Sequence, residues 1–368
     1  MTQSLPGQAP PVGPQRGAKG PVVNAMAGLT LRGLRRIPNP VKRLLLGGRS
    51  ITIDGNTLDT TLQSMLVGMS AVGLNSLVAS LDDVVAARGQ LRILAGSFKQ
   101  DIPVAQVTNL SIPGPAGPIR ARHYRPIDGD GQPLLVFYHG GGQVIGDIET
   151  HDDLCREICR DGGLHVLSVD YRLAPEHKAP AGSDDAYAAF VWALDHAGEL
   201  GADAGRVAVG GDSAGGNLAA LVSLRARDEG SQLPALQVLF YPVTNYAGET
   251  RSQTLFADGL FLTKKDLVWC RKQFLDGADV DAADPRVSPL LADLSGLPPA
   301  LVLTAGFDPL RDEGRQYADA MRAAGVTVDY REFGSLVHGF ANFFPLGGGC
   351  TTAVAETISA LRAHLARG

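Results

Sequence analysis

Cysteine is scarce in this chain. Cys155, Cys159, Cys270 and Cys350 are spread over 368 residues, too few to staple a chain of this size, so a disulfide framework is excluded. Cys155 and Cys159 lie four apart, a spacing that would share one helix face and, with His151, suggests a metal pair. No second Cys/His cluster supplies the remaining ligands, so small buried side chains and no metal are expected. A charged-then-apolar leader is also missing: MTQSLPGQAPPVGPQRGAKG has neither part of that pattern, and a reducing, cytoplasmic setting is the expectation. The charge balance has no basic excess. With 33 Lys and Arg against 38 Asp and Glu the net charge is −5, which argues against nucleic acid as a partner, because phosphate binding needs a concentrated positive field. The basic residues are uneven nonetheless. Arg32, Arg35, Arg36, Lys42, Arg43 and Arg49 crowd one early stretch; a solvated helix face is expected there, with an interfacial membrane contact as the alternative. A stable membrane span is not expected either. Thr60 to Leu81 carries no charge over 22 residues, about the length that crosses a bilayer, but Gln63, Ser64, Ser70, Asn75, Ser76 and Ser80 make it too polar. A helix with a Met/Leu face laid over something apolar is expected instead.

The hydrophobic content of 45% is enough for one large core with an added subdomain. Residues 1–22, rich in Pro, Gly and Gln without apolar period, read as a disordered tail. Residues 23–100 read as a helical cap region and 101–368 as the catalytic domain. Gln106 to Ile112 and Ile119 to Tyr124 are β-rich runs separated by Pro-Gly turns and predict antiparallel strands. Short apolar runs then alternate with helix-length segments: Leu134–Tyr138, Val166–Val169, Val207–Val209, Leu236–Tyr241 and Leu301–Thr304. Runs apolar on both faces and spaced by helices predict a mostly parallel sheet, an α/β fold with chemistry at the strands' carboxyl ends. A last strand, Thr327–Phe333, and a closing helix, Thr352–Leu365, complete the pattern; that strand is an edge where two subunits could pair. The alternation breaks between Tyr241 and Pro299, which marks an insertion at about 247–284, containing the helix-like Lys264–Leu275, as a second part of the cap.

The chemistry concentrates in Arg206–Asn217, RVAVGGDSAGGN. A β-branched run ends at Gly210-Gly211 and a helical pattern begins near Leu218, with Ser213 at the turn between them. Gly211 and Gly215 stand two positions either side of the serine, where a close approach of strand and helix leaves no room for side chains. After the strand at 134–138 comes His139-Gly140-Gly141-Gly142, whose glycines let amide N–H groups point into open space at the sheet edge. A tetrahedral intermediate needs such donors fixed in advance, so Gly140 and Gly141, with Ala214 after the serine, are the expected oxyanion hole. Of eight histidines, His338 alone follows the last strand, and it is the expected base. Asp308, at the exit of the strand 301–304, is the expected orienting acid. Asp312 and Glu313 fall in the first turn of the next helix, where the dipole favours acidic side chains. Asp212 is given no chemical role.

The order Ser213, Asp308, His338 is that of α/β-hydrolases. HGGG at 139–142, DYRLAPEHKAPA at 170–181, GDSAGGN at 211–217, DPLRDEG at 308–314 and HGF at 338–340 together resemble the bacterial hormone-sensitive-lipase-like carboxylesterases of the GDSAGG type. The resemblance implies an α/β-hydrolase fold with a helical cap, and hydrolysis of short- to medium-chain carboxylic esters through an acyl-serine, without a cofactor. Its DYRLAPEH stretch is read as scaffold, with Arg172 and Glu176 bracing the loop under the site. A ligand-binding receptor on a hydrolase fold, and an amidase or lactonase using the same three residues, are the alternatives.

Overall fold

The computed structural model describes residues 33–78, 81 and 83–366; the expected tail at 1–22 lies outside them. Its amino-terminal part begins with α1 (Asn39–Leu45), a hairpin of β1 (Thr52–Ile53) and β2 (Asn56–Thr57), α2 (Thr60–Ala71) and α3 (Val84–Phe98). The hairpin turns on Asp54-Gly55, both at positive φ, as a two-residue turn requires. The uncharged run at 60–81 is helical over only its first half. Asp59 caps α2 by accepting from Thr61 and Leu62 N–H, and the helix stops at Val72, before Gly73 at φ 86°. Leu62, Met65, Leu66 and Met69 are its buried face.

An eight-stranded sheet follows: β3 (Gln106–Ile112), β4 (Ile119–Arg125), β5 (Gln132–Tyr138), β6 (His165–Asp170), β7 (Ala202–Asp212), β8 (Gln237–Phe240), β9 (Ala300–Phe307) and β10 (Val328–Val337), in the spatial order 10-9-8-7-5-6-4-3. The β3–β4 and β4–β6 pairs are antiparallel and all others parallel. Side chains alternate faces along a strand, so β5 sends Leu135 and Phe137 into one core and Leu134, Val136 and Tyr138 into the other. The first core takes α4 (Asp152–Gly162) and α10 (Gly349–Leu365) through Leu154, Ile158, Ile358 and Leu361; the second takes α5 (Ala181–His196), α6 (Ala214–Asp228) and α9 (Arg311–Ala323) through Phe190, Leu218 and Tyr317. The result is a three-layer α/β/α stack. Between β8 and β9 lie α7 (Arg251–Leu255) and α8 (Lys264–Leu275), the latter opened by a capping box between Thr263 and Asp266. Cys155 and Cys159 share the inward face of α4, and all four cysteines are buried and unpaired.

Candidate active site

The site is built where central β7 meets α6. Ser213 sits between them at φ 56°, a left-handed conformation that a non-glycine residue holds only under restraint from its surroundings. The restraint is packing. A Cβ on Gly211 would overlap the Tyr138 carbonyl and the Gly215 backbone, and one on Gly215 would overlap the Tyr138 and His139 carbonyls. With both positions bare the turn closes, and Ser213 Oγ stands at the carboxyl end of the sheet, 8% exposed.

His338, just past β10, and Asp308, just past β9, reach the same point. His338 Nε2 lies 3.0 Å from Ser213 Oγ and His338 Nδ1 lies 2.8 Å from Asp308 Oδ2. An ionised carboxylate only accepts, so Nδ1 carries a proton and Nε2 offers its lone pair to the Ser213 hydroxyl. Asp308 is fully buried, and its other oxygen accepts Leu310 N–H at 2.8 Å. The His338 ring packs against Tyr241, their centroids 4.6 Å apart.

The glycine loop differs from expectation at one residue. Gly140 N–H donates to Asp212 Oδ1 at 2.8 Å, so it is not open to a substrate oxygen. Among the described residues, Gly141, Gly142 and Ala214 N–H have no acceptor, and they border the cavities that Ser213 also borders or open α6 beside it. Of the expected donors, Gly140 N–H is thus taken, while Gly141 and Ala214 N–H stay open. Gly141 and Gly142 hold φ 124° and 63°, and a Cβ on Gly142 would run into Cys270 of α8.

Asp212 is the group the sequence left without a role. Its buried carboxylate accepts from Gly140 N–H, from His151 Nε2 at 3.1 Å and from Asn342 Nδ2 at 3.2 Å. It therefore ties the glycine loop, the serine turn and the segment after His338 to one point. Thr150 Oγ1 can direct its proton to the Asp147 carbonyl at 2.8 Å, and then accepts from His151 Nδ1 at 2.9 Å. His151 is thus hydrogen-bonded at both ring nitrogens, to Thr150 and to Asp212. Burial lowers its pKa but the Asp212 carboxylate outweighs burial and the net shift is upward. Asp212 is shifted downward, burial being overcome by His151. Burial, and after it the neighbouring His151, lower the pKa of His139; it stacks on Tyr171, whose hydroxyl donates to the His139 carbonyl at 2.7 Å.

The remaining expected residues fall elsewhere. Arg172 pairs with Asp185 through two 2.8 Å contacts, while Glu176 takes Arg88 of α3. They brace the loop against different elements rather than each other. His123 Nε2 and His165 Nδ1 share a buried hydrogen bond at 2.9 Å, and His364 meets Asp329. Asp312 accepts Ser252 N–H. Glu313 is buried and accepts Thr244 N–H at 2.8 Å and Gln253 Nε2 at 3.1 Å; burial, with a smaller push from Asp308, raises it to about 8.

Two cavities meet at Ser213. The larger, about 230 Å³, runs past His338 between α3 and the turn after β10, lined by Leu91, Leu94, Phe98, Phe261, Phe343 and Phe344. The smaller, about 90 Å³, runs under α8, lined by Val243, Leu262, Leu267, Leu310 and Glu313. Among the described residues no cluster of His, Cys, Asp and Glu fits a metal ion.

The alpha/beta hydrolase fold family matches residues 135–342. A carboxylic ester hydrolase of Mycobacterium tuberculosis, LipN, is 56% identical over 380 residues, covering the whole of both chains. An ethyl acetate hydrolase of Pseudomonas putida is 36% identical over 279 residues, 74% of this chain and 86% of that one. Among solved structures, a hyperthermophilic esterase of Pyrobaculum calidifontis superposes with a TM-score of 0.75 at 43% identity, over 77% of this chain and 94% of its own.

Proposed function

The chain belongs to the hormone-sensitive-lipase-like carboxylesterases of the α/β-hydrolase fold, and from that premise we propose how its residues divide the work of serine ester hydrolysis. Ser213 Oγ attacks the ester carbonyl as His338 Nε2 takes its proton. Asp308 keeps the imidazole in the tautomer that can accept and stabilises the imidazolium that forms. Gly141, Gly142 and Ala214 N–H receive the oxyanion. His338 returns the proton to the departing alcohol, leaving acyl-Ser213, and water activated by the same nitrogen releases the acid. Atoms balance with water alone, without a cofactor. The observation that carries this reading is the unbroken Ser213–His338–Asp308 chain at 3.0 and 2.8 Å, placed where two apolar cavities meet.

The leaving oxygen must lie within reach of His338, which borders only the larger cavity. The alcohol portion is assigned there and the acyl chain to the smaller cavity, which favours short to medium acyl groups; the Pseudomonas putida relative is named for an acetate ester. Of the cap regions expected at 23–100 and 247–284, α3 and α8 roof the two cavities and act as the cap. A cytoplasmic, small-molecule enzyme without nucleic-acid partners, able to pair through the open β10 edge, completes the proposal.

Ser213→Ala should lower turnover of a butyrate ester by several orders of magnitude. Asp308→Asn should lower kcat by about 10⁴ through the wrong tautomer, while Asp312→Asn stays near wild type. The reverse ranking of the two aspartate variants would overturn the assignment of the acid.

A further inference from the structure

The charge of this chain is divided, not mixed. Residues 1–53 contain eight Lys or Arg and no Asp or Glu, a net +8, so the remaining 315 residues carry −13. Within the described part of that basic segment, α1 is turned inside out. Lys42 is its buried side chain, donating to Thr61 Oγ1 at 2.8 Å, whereas Val41, Leu44 and Leu45 are 44%, 77% and 74% exposed. Arg35, Arg36, Arg43 and Arg49 flank these apolar residues in sequence and are exposed as well. A helix that buries its lysine and shows water its leucines has its apolar face turned toward something outside the fold.

We propose that this face docks on an anionic lipid surface, with Leu44 and Leu45 entering the headgroup boundary and the arginines pairing with phosphate. Both halves of the patch fit that partner: apolar side chains gain by leaving water, and each arginine gains from the negative surface potential. Nucleic acid would use the arginines but leave the leucines in water. A second copy of the chain would bring like-charged arginines together across a two-fold axis. The position of the patch gives docking a use. Arg35 Nη1 donates to Gln100 Oε1 at 3.0 Å, and a Cβ on Gly347 would lie 3.6 Å from the Arg35 Cβ. Lys99, next to Gln100, and Pro345, two residues before Gly347, line the 230 Å³ cavity. Docking therefore holds that end of the cavity near the membrane, where apolar esters concentrate. The docking face itself does not depend on how the catalytic residues are assigned.

Co-sedimentation of the full chain with vesicles tests the proposal. The protein should partition onto vesicles of phosphatidylcholine with phosphatidylglycerol, much less onto phosphatidylcholine alone, and less as salt rises. Arg43→Glu with Arg49→Glu should lower that partitioning at least about tenfold, and Leu44→Ser with Leu45→Ser about tenfold at either salt. Both double variants should hydrolyse a water-soluble acetate ester at the wild-type rate. Equal partitioning onto the two lipids would overturn the proposal. So would binding to duplex DNA that the arginine pair abolishes and the leucine pair leaves intact, or a dimer in sedimentation velocity that Leu44→Ser with Leu45→Ser disperses.

Discussion

Asp212 stands next to the nucleophile yet faces away from the reaction. Three donors converge on its carboxylate, from the glycine loop, from His151 and from Asn342, and the first of these fixes the backbone whose next two amides are the proposed oxyanion donors. An asparagine keeps the shape but supplies one acceptor and turns a donor toward the others. Asp212→Asn should therefore misplace Gly141 and Gly142 N–H. Loss of one oxyanion donor costs about 10²–10³ in kcat, so a displaced pair should cost roughly 10–10² in kcat with KM little changed; a steady-state comparison on one soluble ester would show this, and an effect confined to KM would contradict it. Glu313 supplies a pH signature. Its carboxyl ionises near the ordinary 4.5 when unfolded but at about 8 when folded. Between those values the native state holds the proton more tightly, so the unfolded state binds fewer protons and stability falls as pH rises. Denaturant melts across that window should show the fall, and Glu313→Gln should flatten it. An unchanged slope in that variant would assign the pH dependence elsewhere.

Among the elements, α8 is the one whose removal from the site would change selectivity rather than chemistry. Leu267 and Cys270 project from it over the smaller cavity, and Cys270 also meets the position where a Gly142 side chain would be. Leu267→Phe should narrow the acyl cavity: kcat/KM for a hexanoate ester should drop about tenfold against acetate, the order of discrimination that a methylene or two in an apolar pocket provides. A uniform loss on both esters would show that α8 acts on the catalytic residues instead. This helix was readable from its sequence, because Thr263 and Asp266 form a capping box before an amphipathic run. The hairpin at 52–57 was as legible in principle, since Asp54-Gly55 after the β-branched Thr52-Ile53 is a turn signal, but its strands are two residues long and drown in the helical pattern around them. The break in α2 has a similar cause: periodicity continues past Gly73, and only the left-handed glycine ends the helix.

At the scale of the molecule, the parallel sheet was legible because strands buried on both faces read as continuous apolar runs, and the turn at Ser213 because close packing admits only glycine at 211 and 215. What stayed hidden was contact between groups distant in sequence. Gly140 is 72 residues from the Asp212 carboxylate that occupies its N–H, and no local pattern distinguishes it from Gly141 or Gly142. Arg172 and Glu176 were legible as braces of their loop but their partners were not: Arg172 is held by Asp185 and Glu176 by Arg88 of α3. The proposed function turns on one atom, Ser213 Oγ. The most direct measurement is therefore intact-mass and peptide mapping after treatment with a fluorophosphonate, which reacts with an activated serine. The account predicts one adduct per chain, on Ser213, with complete loss of esterase activity and no adduct in the Asp308→Asn protein on the same timescale. An unlabelled Ser213 in active protein, or labelling at another residue that accounts for the lost activity, would contradict it.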